Sequence, residues 1–258
     1  MTDRKGLLIC GQVRVECIKL WEIVKKQKGD KMMKESRKGR SVCAGCEVQS
    51  CKTGSHRIED YPEWCWYEGE RDGWRGKWRA EALVEYKKEG NRRLYKTAAQ
   101  VESSGYKKWT RLQEIAEFAL AAGFENIGLA FCIGLDREAE LAARCFAGRG
   151  LEVNSVVCCC GSIDKAELDV PPEDRFAAEG FEAGCNPIGQ AKVLAECGTE
   201  FNVMLGLCVG HDALFFKYSE APATVLAAKD RVLGHNPLAA VYNAECYYGH
   251  LFPEENED

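Results

Sequence analysis

The chain has 258 residues, 46% of them apolar, enough for one large α/β domain and a small module. No apolar run approaches the roughly 18 residues of a membrane span, and the early stretch LLICGQVRVECIKLW is broken by Arg14, Glu16 and Lys19, so no membrane anchor or secretory leader is read and a cytoplasmic location is expected. The net charge of −5 divides unevenly, with 12 Lys and Arg against 5 Asp and Glu in residues 1–40 and 23 against 35 in the rest, so the acidic main domain argues against nucleic acid as its principal ligand.

Four segments follow from composition: a basic arm at 1–40, a cysteine-rich module at 41–76, an α/β domain at 77–252 and an acidic tail at 253–258. The arm contains Cys10 and Cys17, which carry no ligand spacing, and reads as a solvated segment. Fifteen cysteines in a chain of this length point to metal ligation or redox chemistry rather than to a disulfide scaffold. Cys43, Cys46, Cys51 and Cys65 follow the spacing C-x2-C-x4-C-x13-C. The residues between them are rich in Gly, Ser and charge and build little core, so a metal is the expected staple. Four thiolates suit zinc or an iron–sulfur cluster. A zinc ribbon would have two C-x-x-C knuckles, and only one is present. His56 lies inside this loop as a spare candidate. The tryptophans of WCWYEGERDGWRGKW, including Trp66 and Trp74, are read as packing.

Residues 78–104 read as two helices, with Asn91 as a cap of the second and Leu94, Ala98 and Val101 on its apolar face. From Thr110 a regular alternation begins. Thr110 and Gln113 form a capping box, and Leu112, Ile115, Ala116, Ala119 and Leu120 mark one face of a helix ended by Gly123. NIGLAFC is a strand closing on Cys132, Asp136–Ala147 a helix, and LEVNSVVC a strand closing on Cys158. A long loop leads to Cys185-Asn186-Pro187, where Pro187 opens a helix. FNVMLGL is a strand leading to Cys208, and residues 223–228 form the next strand. Asn236-Pro237 starts a last helix. The expected fold is therefore α/β: a mainly parallel sheet, Rossmann- or flavodoxin-like, with helices on both faces. No nucleotide or nucleophile-elbow motif is present.

In such a sheet, chemistry collects beyond the carboxyl ends of the strands. Cys132, Cys158 and Cys208 each end a strand, and Cys185 starts a helix on the same side, so four thiols are expected to converge. Cysteine is also a small hydrophobe that fills buried strand ends, and the run Cys158-Cys159-Cys160 leaves open which thiol points inward. Cys145, Cys197 and Cys246 are read as packing residues. His211, Asp212, Lys229 and His235 are the polar candidates for the same edge, as ligands, proton donors or anion holders. Lys217, Tyr218, Asp230 and Arg231 also fall there, with Lys229 and Arg231 either holding an anion or paired with Asp230 and Glu220.

FCIGL at 131–135, CNPIGQA at 185–191, GLCVGHD at 206–212, KYSEAP at 217–222 and KDRVLGHNPLAA at 229–240 resemble a domain-of-unknown-function family of cysteine-rich bacterial and archaeal proteins expected to bind metal. The resemblance implies one ligand group at Cys43, Cys46, Cys51 and Cys65 and a second at Cys132, Cys158, Cys185 and Cys208. The added arm and the three-cysteine run depart from it. It carries no reaction. Three functions are weighed. The first is an iron–sulfur protein with one or two 4Fe-4S clusters, working in redox or sulfur handling with a small anionic or sulfur-containing ligand and an electron-transfer partner. The second is a zinc or soft-metal protein without catalysis. The third is a thiol enzyme with Cys208 as nucleophile and His211 as base.

Overall fold

A computed structural model describes residues 43–44, 46–54, 58–62, 65, 77–177 and 179–251. The basic arm with Cys10 and Cys17, His56, Trp66, Trp74 and the acidic tail lie outside the described residues. The chain divides into two compact units, Met1–Arg92 and Arg93–Asp258.

In the first unit, a short helix α1 (Ser50–Thr53) carries Cys51, and a 3-10 turn (Ile58–Asp60) lies between Cys51 and Cys65. The Ser50 hydroxyl donates to the Asp60 carbonyl, and Ser50 and Tyr61 are buried. Helix α2 (Lys77–Lys87) follows, and then α3 (Glu89–Gly105), most of which belongs to the second unit. Asn91 is not the cap of α3. It lies within the first turn, and its side-chain amide donates 3.0 Å to the Glu85 carbonyl. The buried positions of α3 are Thr97, Val101 and Gly105, joined by the partly buried Leu94, whereas Ala98 faces outward.

The second unit is the α/β domain. Thr110 caps α4 (Arg111–Ala121) by accepting from the Gln113 amide. Then come β1 (Asn126–Phe131), α5 (Asp136–Ala147), β2 (Glu152–Val157), α6 (Pro187–Glu196), β3 (Phe201–Leu205), α7 (His211–Tyr218), β4 (Ala223–Ala227) and α8 (Leu238–Tyr242). The four strands form one parallel sheet in the order β2-β1-β3-β4. These are the first four strands of the flavodoxin-like order, in which the chain leaves β1 toward one edge and β3 toward the other.

The period of two along each strand divides the core. Ile127, Leu129, Phe201, Val203 and Leu205 pack with α4 and α5 on one side. Ala130, Val156 and Met204 pack with Ala191 and Leu194 of α6 and Phe215 of α7 on the other. Gly128 belongs to this second side, where a side chain would meet Leu194 and Asn202.

The amino ends of the strands are closed by polar groups. Glu200 accepts from the amides of Glu125 at 2.8 Å and Asn126 at 3.1 Å. These two bonds hold its carboxyl below the ordinary glutamate value. The folded pKa is lower than the unfolded one. The stabilisation is therefore present above the unfolded value and is lost as pH falls through the folded one. Urea midpoints followed downward from neutral pH are expected to fall more steeply in the natural chain than in Glu200→Gln, which has no proton to take up there.

Candidate functional site

The opposite, carboxyl ends of the strands carry the thiols. Ala130 pairs with Val156 and Phe131 with Val157. One step further the same register sets Cys132 beside Cys158, and the period of two turns both toward the α6 side. They are 7% and 3% exposed and belong to that core. Of the three consecutive cysteines it is therefore Cys158 that faces inward, while Cys159 and Cys160 are half-buried.

Asn186 brings the third thiol in. Its backbone amide donates 2.6 Å to the Cys158 carbonyl, its side-chain amide donates 3.1 Å to the Cys160 carbonyl, and its side-chain oxygen caps α6 at Gly189, 2.8 Å away. This strap fixes Cys185, one residue earlier, against Cys158. Each of the two thiols shifts the ionisation of the other. The Ile133 amide donates 3.3 Å to the Cys158 sulfur. The neighbouring Cys185 thiol, with burial second, pushes the Cys158 thiol far up, and the Cys158 thiol lowers Cys185. Burial, reinforced by the neighbouring thiols, raises Cys160.

Gln190 ties this arrangement together and is not among the sequence candidates. It is fully buried on α6, and its amide nitrogen donates to the carbonyls of Phe131 (3.1 Å) and Val156 (2.7 Å). One side chain thus links the ends of β1 and β2 to the helix that follows Cys185. Its oxygen, Oε1, is buried without a hydrogen-bond partner. The signal in the sequence was its place in CNPIGQA, one turn beyond the Asn-Pro helix start.

Cys208 arrives from β3 after Gly206, whose φ of +68° and contact with Leu135 leave no room for a side chain. Its sulfur accepts a hydrogen bond of 3.2 Å from the Arg231 guanidinium. That bond, and then the charge of Cys208, raises Arg231. The Lys229 side chain crosses Gly206 and brings its ammonium over Gly134, where the Cys132 sulfur also lies. Among the described residues, neither Lys229 nor Arg231 forms an ion pair with Asp230, Glu220 or another carboxylate.

The polar candidates divide into two kinds. His235 closes a loop: its Nδ1 accepts from the Asp230 amide at 3.1 Å, and its own amide donates 2.8 Å to the Asp230 carbonyl. Asp230 Oδ1 accepts from Val232 and Leu233. Together they fix the turn that presents Arg231. Asp212 spends its carboxylate on the amides of Gly210 and Ala213 at the start of α7. His211 meets Cys208 through the main chain, its amide 3.0 Å from the Cys208 carbonyl, and among the described residues no hydrogen bond joins its imidazole to the sulfur. Cys197 and Cys246, expected to pack, are exposed. In the first unit, the Cys46 amide donates 3.1 Å to the Cys43 carbonyl, the tight turn of a C-x-x-C knuckle, and the Cys65 amide donates 2.8 Å to the Pro62 carbonyl.

A family model described as "Protein of unknown function (DUF1847)" matches residues 74–226. The chain belongs to this family. The uncharacterized protein MJ0455 of Methanocaldococcus jannaschii is 40% identical over 200 residues, 78% of this chain and 93% of that protein. The DUF1847 match takes in Cys132, Cys158, Cys185, Gln190, Cys208, His211 and Asp212. Lys229, Arg231, His235 and the four module cysteines fall outside it, although the similarity to the archaeal protein is longer than the family span.

Among the described residues, no group of three or more His, Cys, Asp and Glu side chains is arranged to hold a metal ion. The sheet edge is a convergence of soft donors rather than a closed cage. It carries four unbridged cysteines, a main-chain amide on one sulfur, a guanidinium on another and an ammonium nearby. Also among the described residues, no helix is long and apolar enough to cross a membrane.

Proposed function

We propose that this chain is a metal protein of the iron–sulfur type, with a centre held by Cys132, Cys158, Cys185 and Cys208, serving redox or sulfur-handling chemistry in the reducing cytoplasm. What supports the reading is that four cysteines from four separate elements lie beyond the carboxyl ends of β1, β2 and β3 and at the start of α6. Packing alone does not require three strand ends and a helix start to present the same soft donor there. Hydrogen bonds to sulfur and nearby cations are the levers by which a protein tunes such a centre. When bound, a cluster supplies one-electron transfer and, at an iron with an open position, Lewis acidity. The chain's own residues have separate roles. Asn186 and Gln190 hold three donors in place, Ile133 and Arg231 donate to sulfur, and Lys229 with Arg231 offsets the negative charge of the thiolates. A second centre of 4Fe-4S type is proposed for Cys43, Cys46, Cys51 and Cys65, passing electrons to or from a partner protein.

Zinc is the second reading, favoured by one observation. Four cysteines without a bridging partner offer the thiolate set that a tetrahedral zinc takes. The thiol-enzyme reading has less support, because the group at the Cys208 sulfur is Arg231 rather than His211, and a guanidinium does not take up a proton. Iron, acid-labile sulfide, zinc and a visible spectrum, measured per chain on protein purified without oxygen, test the proposal. Iron and sulfide in equal amounts with a broad brown absorbance are expected. Zinc without sulfide selects the second reading, and protein without metal overturns both.

A further inference from the structure

The two ends of the sheet treat apolar side chains differently. At the amino ends the turns bury theirs, as with Phe124 before β1 and Leu151 before β2. At the carboxyl ends every connection exposes one: Ile133 after β1, Phe176 and Phe181 after β2, Val209 after β3 and Val232 after β4. Phe176 is 100% exposed, Val209 94% and Val232 79%, so these side chains gain nothing from the chain's own core. The loop that carries Phe176 is ordered by its own polar groups. It leaves the sheet at Cys158 and returns there, where the Asn186 amide meets the Cys158 carbonyl. Inside it Asp164 bridges Ala183, Lys165 pairs with Glu182, and the Ala177 amide donates 3.1 Å to the Glu182 carboxylate. The Lys165 ammonium lies 4.9 Å from the centre of the Phe176 ring. Apolar side chains set on every loop of one face, one of those loops pinned from within, mark a surface that another molecule covers.

Charge on this face is sorted by sign. Residues 164–182, beyond β2, hold seven Asp and Glu against two Lys and Arg. Among the described residues, Asp169, Glu173, Asp174 and Glu179 of that loop meet no cation. The turn beyond β4 presents Lys229 and Arg231, which meet no carboxylate there, while the Asp230 carboxylate is held by the Val232 and Leu233 amides. In the order β2-β1-β3-β4 these two strands are opposite edges of the sheet. We propose that the face is covered by a second copy of this chain, in an isologous two-fold dimer. A two-fold axis normal to the sheet, passing just beyond the ends of β1 and β3, sets the acidic β2-edge loop of each copy on the basic β4-edge turn of the other. Both charge contacts form at once, and the apolar side chains of the four loops meet between them. A two-fold axis running across the sheet from edge to edge would instead set acid on acid and base on base, which like-charge repulsion disfavours. In the dimer the two sheets abut end to end, and the thiol-bearing ends of β1 and β3 lie at the axis. The inference goes beyond the metal centre proposed above and does not rest on it.

The test uses the full chain, kept reduced so that no disulfide links two copies. Its mass in solution is measured by light scattering and sedimentation over a dilution series at low and high salt. Twice the mass of the chain is expected, with dissociation favoured by dilution and by salt. F176D and V232D change side chains that a single copy leaves exposed. Both are expected to give the mass of one chain with circular dichroism unchanged. The charge reversals K229E/R231E and E173K/D174K are each expected to weaken association by about tenfold or more, because each sets like charges against one another. Combined in one chain they are expected to restore it, because the signs are then exchanged on both sides of each contact. A natural chain that stays single at micromolar concentration overturns the inference. So does a dimer indifferent to F176D and V232D, or a combined variant that associates no more tightly than either reversal alone. None of these readings depends on bound metal, so the dimer and the metal centre fail separately.

Discussion

On the iron–sulfur proposal, Cys158→Ser is expected to remove the sheet-edge centre and leave that of the N-terminal module in place. Cys158 is 3% exposed, packs with Cys132 and Cys185, and its sulfur accepts from the Ile133 amide at 3.3 Å. Serine keeps the shape and the hydrogen-bonding capacity but replaces a soft thiolate by a hard hydroxyl that stays protonated, which iron–sulfur clusters and zinc bind poorly. Two cubane centres would carry about eight irons and about eight sulfides per chain, so the variant is expected to retain about four of each. Cys46→Ser is the reciprocal variant and should remove the other half, since its turn with Cys43 belongs to the other unit. Iron and sulfide analysis of both variants checks the expectation. Iron unchanged in Cys158→Ser would exclude the sheet edge as a cluster site.

Gly128→Ala is expected to cost about 3 kcal/mol of folding stability, roughly a hundredfold in the folding equilibrium. Gly128 lies in β1 between β2 and β3, on the side where α6 packs. A methyl group there would run into Asn202 Oδ1 and stand 2.9 Å from Leu194 Cδ1. Neither neighbour has room to yield. Asn202 is held by the Thr199 hydroxyl at 2.8 Å and donates 2.9 Å to Ser219, while Leu194 is fully buried. Relief would need α6 to move off the sheet, and with it the Cys185 start. Gly90→Ala is the control of opposite sign. It lies in α3, where an added methyl meets nothing within 4 Å, and alanine there should stabilise by up to about 1 kcal/mol. Denaturant unfolding of the two variants reads both effects. A cost near zero for Gly128→Ala would mean that the α6 packing is looser than these contacts describe.

Much of the scaffold was determined by local sequence. Thr110 caps its helix three residues before Gln113, Pro187 opens α6, and the apolar runs before Cys132 and Cys158 end where the strands end, because caps and strand patterning act over a few residues. The βαβ order implied a parallel sheet with thiols at one edge for the same reason. What local pattern does not contain is pairing. The order β2-β1-β3-β4, the register that sets Cys132 beside Cys158, and the inward turn of Cys158 rather than Cys159 or Cys160 exist only once strands are aligned. Three apolar-looking cysteines in a row have no period by which to choose among themselves. The partners of the polar residues were equally hidden. Arg231 reaches Cys208 across 23 positions, and Gln190 reaches Phe131 across 59. His235 carried a site-like sequence, Gly-His-Asn-Pro, yet its ring accepts from the Asp230 amide and serves the turn. The residue types, and so the soft-donor chemistry of the edge, were determined by the sequence. Which thiol is buried, which is paired with a cation and which amide holds them together were decided by tertiary contacts between residues far apart in the chain.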